Sequence, residues 1–528
     1  MKMRKIFLLM ICVTLSQMVY AQRLVRRNSR HYIELQTLPA RVNPLLTDTW
    51  DQYAPFNNLC PIDSITKERS VVGCVATSMS QVMHFWQWPR TYDWDNILDK
   101  YVEGEYTQQQ ADAVAQLSLD CGEAVKMRYS SVASGARSIY QPIALVNNYD
   151  YDCGVQMYYR DFYSLAEITI MLKKELAAHR PILISGYNRD GGHAYVIDGY
   201  NENDYFHVCW GNPGGIDNNW TTLTSMVPNQ PEWYDIDSPE CGFNLLQMFT
   251  LGIMPSNDAN ATGVKRHLFT FQSIKAVKEN KDDPATYDRN NVRLTVHDLS
   301  NIGWDALDDS VCLMIKKDDE IVRPLYTYTH DFLLEEIEDT TYTDTLSLSF
   351  PHDLENGTYT IVPMYRDNSL NGGKEWVEAR VCTGTPNYLI AHIEDNNVTL
   401  RSDTASTSYL TLESINFPDV MINAKAPEYD VTLRNHGGEM AGRIYFFMES
   451  LDGGNNFYLQ RQGMTIDRDA TYYIHHKKRA FSAPQLGLYK LHVCYESNLF
   501  ADELIELPLP EEIIILVTTS DRIEIAEN

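Results

Sequence analysis

The feature that most constrains this chain is a change of pattern at residues 256–263. Before the polar stretch Ser256-Asn257-Asp258-Ala259-Asn260-Ala261-Thr262-Gly263, helical and strand periodicities are mixed. After it, apolar and polar residues alternate with almost no helical period to the end. A chain of 528 residues is too long for a single core, and about three domains is the natural expectation. We expect an α+β unit over 44–255, with its helices early and its sheet late, then two all-β units over 265–395 and 396–528.

The all-β half repeats itself weakly. Asn291-Val292-Arg293-Leu294-Thr295-Val296 echoes Glu428-Tyr429-Asp430-Val431-Thr432-Leu433. Asn356-Gly357-Thr358-Tyr359-Thr360-Ile361 echoes Leu486-Gly487-Leu488-Tyr489-Lys490-Leu491. The strand spacing fits two sequential immunoglobulin-like β-sandwiches. Such modules bind, space or stabilise; no chemistry is legible in them, and nothing names a ligand for them.

The first half carries sharper signals. Ser164-Leu165-Ala166-Glu167 is a capping box, followed by an apolar face of Leu165, Ile168, Leu172 and Leu176 that Pro181 closes. Strands are predicted at 182–184, 193–200 and 205–210, the last two joined by Asn201-Glu202-Asn203-Asp204. Upstream, Val75, Met79, Val82 and Trp86 repeat at i, i+4, i+7 and i+11, and Pro89 ends the pattern. Cys74, directly after Gly73, therefore sits in the first turn of a helix. Free N–H groups and the positive end of the helix dipole favour a thiolate there. The plain alternative is a cysteine packed in a core.

The N-terminus assigns a compartment. Lys2, Arg4 and Lys5 precede an apolar run over 6–13, and Val19-Tyr20-Ala21 ends in a small residue. This reads as a signal peptide cleaved after Ala21, too short to span a membrane. Residues 22–43, with Arg23, Arg26, Arg27 and Arg30, read as a short basic leader or pro-segment. The expected location is secreted, periplasmic or cell-surface. A net charge of -27 argues against nucleic acid or an anionic membrane as partner. Nine cysteines remain after the signal, at 60, 74, 121, 153, 209, 241, 312, 382 and 494. They are scattered rather than clustered, and one free thiol would leave eight that could pair or stay buried.

A catalytic thiol needs a histidine that can be distant in sequence. Of 14 histidines, His193 stands out because it follows Gly191-Gly192 and opens a strand. Those glycines are expected to let a substrate backbone approach. The turn near residue 202 folds the next strand back, which sets residues 209–212 beside His193.

In this setting the chain resembles the streptopain family of papain-like cysteine endopeptidases. The resemblance rests on blocks in order across residues 44–215: Pro44-Leu45-Leu46-Thr47-Asp48-Thr49-Trp50-Asp51-Gln52, Pro55-Phe56-Asn57-Asn58-Leu59-Cys60-Pro61, Gly73-Cys74-Val75-Ala76-Thr77, Cys121-Gly122-Glu123-Ala124-Val125-Lys126-Met127, Ser134-Gly135-Ala136, Arg180-Pro181-Ile182, Gly192-His193-Ala194-Tyr195-Val196 and Phe206-His207-Val208-Cys209-Trp210-Gly211. It implies a papain-like α+β catalytic domain and a secreted thiol protease acting on polypeptides without a cofactor. By position, Cys74 matches the nucleophile, His193 the general base, and Gln52 the side-chain donor of the oxyanion hole. Trp210 matches the tryptophan packed over the histidine. Ser134, Gly135 and Gly192 fall where family members line the substrate cleft.

Two departures are visible. Family members read His-Val-Asn-Trp-Gly-Trp where this chain has His207-Val208-Cys209-Trp210-Gly211-Asn212, so Cys209 occupies the position that orients the imidazole. Cysteine is a poor hydrogen-bond partner, and Asn212 is the nearest substitute. The alternative function this raises is a catalytically impaired, peptidase-like binding or surface protein. A Cys74–Cys209 disulfide would act as a redox lock. A metal held by Cys74, Cys209 and His193 is disfavoured, because no short Cys or His spacing supports it. The second departure is the stretch between Ala21 and residue 44, too short for a folded inhibitory pro-domain.

Overall fold

The protein was analysed as a computed structural model that describes residues 37–188, 191–211, 218–228, 242–277, 285–303, 311–329, 342–367, 370, 372–403, 407–422, 425–476, 479–480, 485–497 and 504–518. The expected signal peptide, residues 22–36 of the leader, Asn212 and Cys241 lie outside the described residues. Among the described residues no helix is long and apolar enough to cross a membrane.

Four helices and a six-stranded sheet build the first unit. The helices are α1 (Cys74–Trp86), α2 (Gln108–Ala124), α3 (Tyr140–Tyr149) and α4 (Leu165–Ala177). The strands are β1 (Gln156–Tyr159), β2 (Ile182–Tyr187), β3 (Gly192–Tyr200), β4 (Phe206–Cys209), β5 (Asn219–Thr221) and β6 (Leu245–Leu251), in the order β1-β6-β2-β3-β4-β5 with antiparallel neighbours throughout. α4 starts at the capping box read from the sequence: the Ser164 hydroxyl accepts from Glu167 N–H and the Glu167 carboxylate accepts from Ser164 N–H.

The sheet separates two cores. On one side Val75, Met79 and Val82 of α1 pack with Leu117 and Cys121 of α2, Ala144 and Leu145 of α3, and Ala194, Val196 and Cys209 of the sheet. On the other, Ile168, Leu172 and Leu176 of α4 meet Tyr195, Ile197, Val208 and Trp210. Strand alternation produces this division, since successive side chains point to opposite faces. Leu268, Ile302 and Cys382 from the all-β half join the second core, so that half is docked through apolar contact.

Beyond residue 265 the described structure is almost entirely strand. In the first β-unit, Val292–Asn301 pairs with Tyr342–Leu348, while Val311–Lys317 lies between Glu320–Thr327 and Gly357–Arg366. In the second, Tyr429–His436 pairs with Thr471–His476, while Met440–Ser450 lies between Phe457–Ile466 and Gly487–Glu496. The weak sequence echo is thus matched by a repeat in connectivity. Each unit closes a core between two sheets: Val292, Leu294 and Val296 face Val311, Leu313 and Ile315 in the first, and Tyr429, Val431 and Leu433 face Ile444, Phe446 and Met448 in the second.

The soft boundary expected near 395–410 meets a hairpin. Leu389–Glu394 and Asn397–Ser402 form a hairpin whose second strand pairs onward with Ala285–Asp288. The first β-unit therefore extends to Ser402. The turn residues Asp395 and Asn396 look like a linker in the sequence because hairpin turns and linkers share their polar composition.

Candidate active site

Gly73 sets the entry to α1. Its φ is +90°, and a Cβ there would meet Met127 Sδ at 2.8 Å and the Ser134 carbonyl oxygen at 3.0 Å. Only glycine fits both the backbone and the space. No side chain caps the helix; the Ala76 and Thr77 N–H groups donate to the Gly73 carbonyl, and those of Cys74 and Val75 lie nearest the Cys74 sulfur.

β3 delivers His193 to that sulfur. α1 packs against β3, which sets the Cys74 thiol beside the His193 imidazole, close enough for the two groups to perturb each other. Burial pushes the thiol pKa up, but the His193 imidazole and its charge, with the Ala194 and Val75 backbone, outweigh it and leave Cys74 below the ordinary thiol value. Burial likewise pushes His193 down. The Cys74 sulfur and the Trp210 carbonyl outweigh it, and His193 ends above the ordinary histidine value. Both shifts favour the thiolate–imidazolium pair.

The Trp210 carbonyl lies 2.8 Å from His193 Nε2. A carbonyl only accepts, so Nε2 carries the proton and Nδ1 is left as the acceptor toward the thiol. Trp210 is itself pinned: its N–H donates to Asn218 Oδ1 at 3.3 Å and its indole Nε1 donates to Asn219 Oδ1 at 2.7 Å. Its ring lies 6.3 Å from the imidazole at an interplanar angle of 19°, and Tyr195 and Phe243 flank His193 at 5.8 and 5.3 Å between centroids. Water is thereby kept from one side of the ring.

Gln52 bridges the two halves of the site. Its backbone carbonyl accepts from Val72, two residues before Cys74, and its Nε2 donates to the Gly211 carbonyl at 3.2 Å. The amide has a second N–H to offer.

Cys209 departs from its expected place. It pairs with Val196 and faces the α1 core, whereas Tyr195 and Trp210 belong to the opposite core. Its thiol lies within 4.8 Å of the Asp198 carboxylate and accepts from Asn218 Nδ2 at 3.5 Å. Burial and the neighbouring Asp198 push its pKa up, so it is an inert thiol. The contact that orients His193 is the backbone of the next residue. Cys74 and Cys209 are both free thiols. Among the described residues, the donor cluster compact enough to hold a metal is Asp198, His207 and Cys209, within 4.8 Å of one another; it excludes Cys74 and His193.

The three residues expected at the cleft make the following contacts. The Ser134 hydroxyl donates to the Val71 carbonyl at 2.7 Å and accepts from Ser130 N–H, so it holds the segment beside Gly73. Gly135 exchanges both backbone hydrogen bonds with Arg128. At Gly192 a Cβ would lie 2.7 Å from the Tyr187 ring. Glycine is needed there for that ring, while the space at Gly135 and Gly191 is open.

Sequence reasoning missed Asp198, His207, Asn218, Asn219, Tyr195 and Phe243. Asp198 is fully buried; it accepts from Leu46 N–H at 2.9 Å and from His207 Nδ1 at 2.6 Å. It thereby ties the 44–46 segment to the sheet. The available signal was a charge within each of two apolar strands, since a buried charge requires a partner.

A thiol at a helix start beside a histidine on an antiparallel sheet is the arrangement used by papain-like cysteine peptidases. Residues 50–220 match the model of the Peptidase C10 family. Streptopain from Streptococcus pyogenes is 28% identical over 244 residues, 39% of this chain and 60% of the relative. The thiol protease/hemagglutinin PrtT from Porphyromonas gingivalis is 28% identical over 256 residues, 42% of this chain and 29% of the relative. The chain thus spans under two thirds of these curated relatives. Among solved structures, a prointerpain A fragment from Prevotella intermedia is 30% identical with a TM-score of 0.34, over 41% of this chain and 73% of that one. Active interpain A from the same organism is 29% identical with a TM-score of 0.36, over 40% of this chain and 95% of that one. The matched stretch, residues 50–220, is therefore that of a streptopain-type, papain-like cysteine peptidase.

Proposed function

We propose that this chain is a secreted cysteine endopeptidase acting through an acyl-enzyme on Cys74. Three units serve it: a catalytic domain over 44–255 and two immunoglobulin-like sandwiches after it. The observation that carries the reading is His193 beside Cys74 at the start of α1, with its Nε2 committed to the Trp210 carbonyl at 2.8 Å.

Each step follows from those contacts. The thiol proton moves to His193 Nδ1, giving thiolate and imidazolium. The sulfur adds to the scissile carbonyl carbon, and the oxyanion is received by the Cys74 N–H and the Gln52 amide. Collapse of the tetrahedral adduct breaks the C–N bond, with the imidazolium protonating the leaving amine. Neutral His193 then deprotonates a water that attacks the thioester. The carboxylic acid leaves and Cys74 regains its proton. Trp210 holds the imidazole plane through both halves.

The test is a thiol-directed probe with casein as substrate, applied to wild type and Cys74→Ala, with and without reductant. Labelling and hydrolysis are expected in wild type and neither in Cys74→Ala. Hydrolysis that persists in Cys74→Ala, or wild type that neither labels nor cleaves after reduction, rejects the proposal.

A further inference from the structure

The second β-unit reaches the catalytic histidine through two contacts. One of its strands, Phe457–Ile466, runs beside the start of β6. Gly463 N–H donates to Asn244 Oδ1 at 3.2 Å, and a Cβ at 463 would lie 2.3 Å from the Asn244 carbonyl oxygen. The next residue back, Phe243, places its ring 5.3 Å from His193. Its carbonyl oxygen would sit 2.4 Å from a Cβ at Gly186, and Gly186 is the β2 partner of His193. Two glycine contacts therefore run in series from the β-unit to the histidine.

The other contact is at Asn188. Arg461 donates to the Asn188 carbonyl at 3.4 Å. Asn188 is buried, its N–H donates to the Gly191 carbonyl at 2.9 Å, and its Oδ1 accepts from Gly191 N–H at 3.0 Å. His193 follows two residues later. Arg160 of the catalytic unit binds Glu439 and Thr465 of the β-unit, and Leu165 N–H donates to Glu439 at 2.9 Å, which fixes the two bodies alongside these contacts.

We propose that Arg461 and Gly463 are positioning residues for His193, which makes the second β-unit a working part of the catalytic site. The proposal rests on the endopeptidase reading above. Interiors transmit displacement because they are close-packed, and small misplacements of a catalytic group cost large factors in rate. A side chain at 463 has to push Asn244 and Phe243 toward β2 and His193. Loss of the guanidinium at 461 removes its bond to the Asn188 carbonyl, and Asn188 is in turn bonded to Gly191, two residues before His193.

The experiment compares Gly463→Val, Arg461→Ala and Arg461→Lys in the full chain. Gly463→Val is expected to lower kcat/KM by about tenfold, mostly in kcat. The alkaline limb of the pH profile should move to lower pH as the Cys74–His193 pair loosens. Arg461→Ala should lower kcat in the same direction and Arg461→Lys, which keeps a donor, should restore it. Tyr473→Ala, on an exposed stretch of the same unit, serves as the control and should match wild type. Wild-type kcat, KM and pH profile in both Gly463→Val and Arg461→Ala overturn the proposal. If thermal unfolding shows Gly463→Val to be misfolded, the Arg461 pair decides it. The pH dependence of Cys74 alkylation reports His193 placement without any peptide substrate, so failure here is distinguishable from failure of the peptidase reading.

Discussion

The backbone carbonyl of Trp210 holds His193 at Nε2, 2.8 Å away, and the side chain of the preceding residue takes no part. A main-chain oxygen thus does what an asparagine amide would do. It fixes the neutral tautomer and steadies the imidazolium that follows.

The pH dependence of kcat/KM should be a broad bell. Cys74 lies below the ordinary thiol value and His193 above the ordinary histidine value. The reactive ion pair forms as pH rises through the lowered thiol pKa and is lost as pH rises through the raised imidazole pKa. Alkylation of Cys74 against pH checks this. An acid limb near the free-thiol value of about 8.5 sinks it.

Gln52→Ala should lower kcat by about 10²–10³ with little change in KM, the usual cost of losing one oxyanion donor. Steady-state kinetics on a peptide substrate decides it. A change confined to KM would place Gln52 in substrate binding instead.

Cys209→Ser should leave kcat within about twofold of wild type while costing about 1 kcal/mol of stability, a common loss for one substitution. The hydroxyl stays beside Asp198, and His193 is untouched. Denaturant unfolding with parallel kinetics tests the pair of outcomes. Abolished turnover in a folded variant would return Cys209 to the machinery.

Gly73→Ala should destabilise the fold by about 1–3 kcal/mol, the cost of a non-glycine residue at positive φ. It should also slow Cys74 alkylation, because the helix entry shifts with the Met127 contact. Thermal unfolding and alkylation rate together check it; a variant equal to wild type in both refutes the account.

Local pattern was enough for much of this protein. The α1 periodicity, the Ser164 capping box and the glycine-flanked His193 are short-range features, and residues a few positions apart determine them. The even alternation after residue 263 announced strands for the same reason. Cys209 was misplaced because strand pairing says which residues are neighbours across a ladder, while the face each side chain takes depends on register. The boundary between the β-units stayed soft in the sequence because a turn inside a hairpin and a linker between domains look alike until the partner strand is known. The Trp210 carbonyl was invisible because every residue has one, and only the bend after β4 aims it at the imidazole. The sequence by itself determined the chemistry available, a thiol at a helix start and a histidine at a strand start. The tertiary structure alone decided which backbone atom holds that histidine and which distant unit braces it, because both contacts join residues that no local interaction brings together.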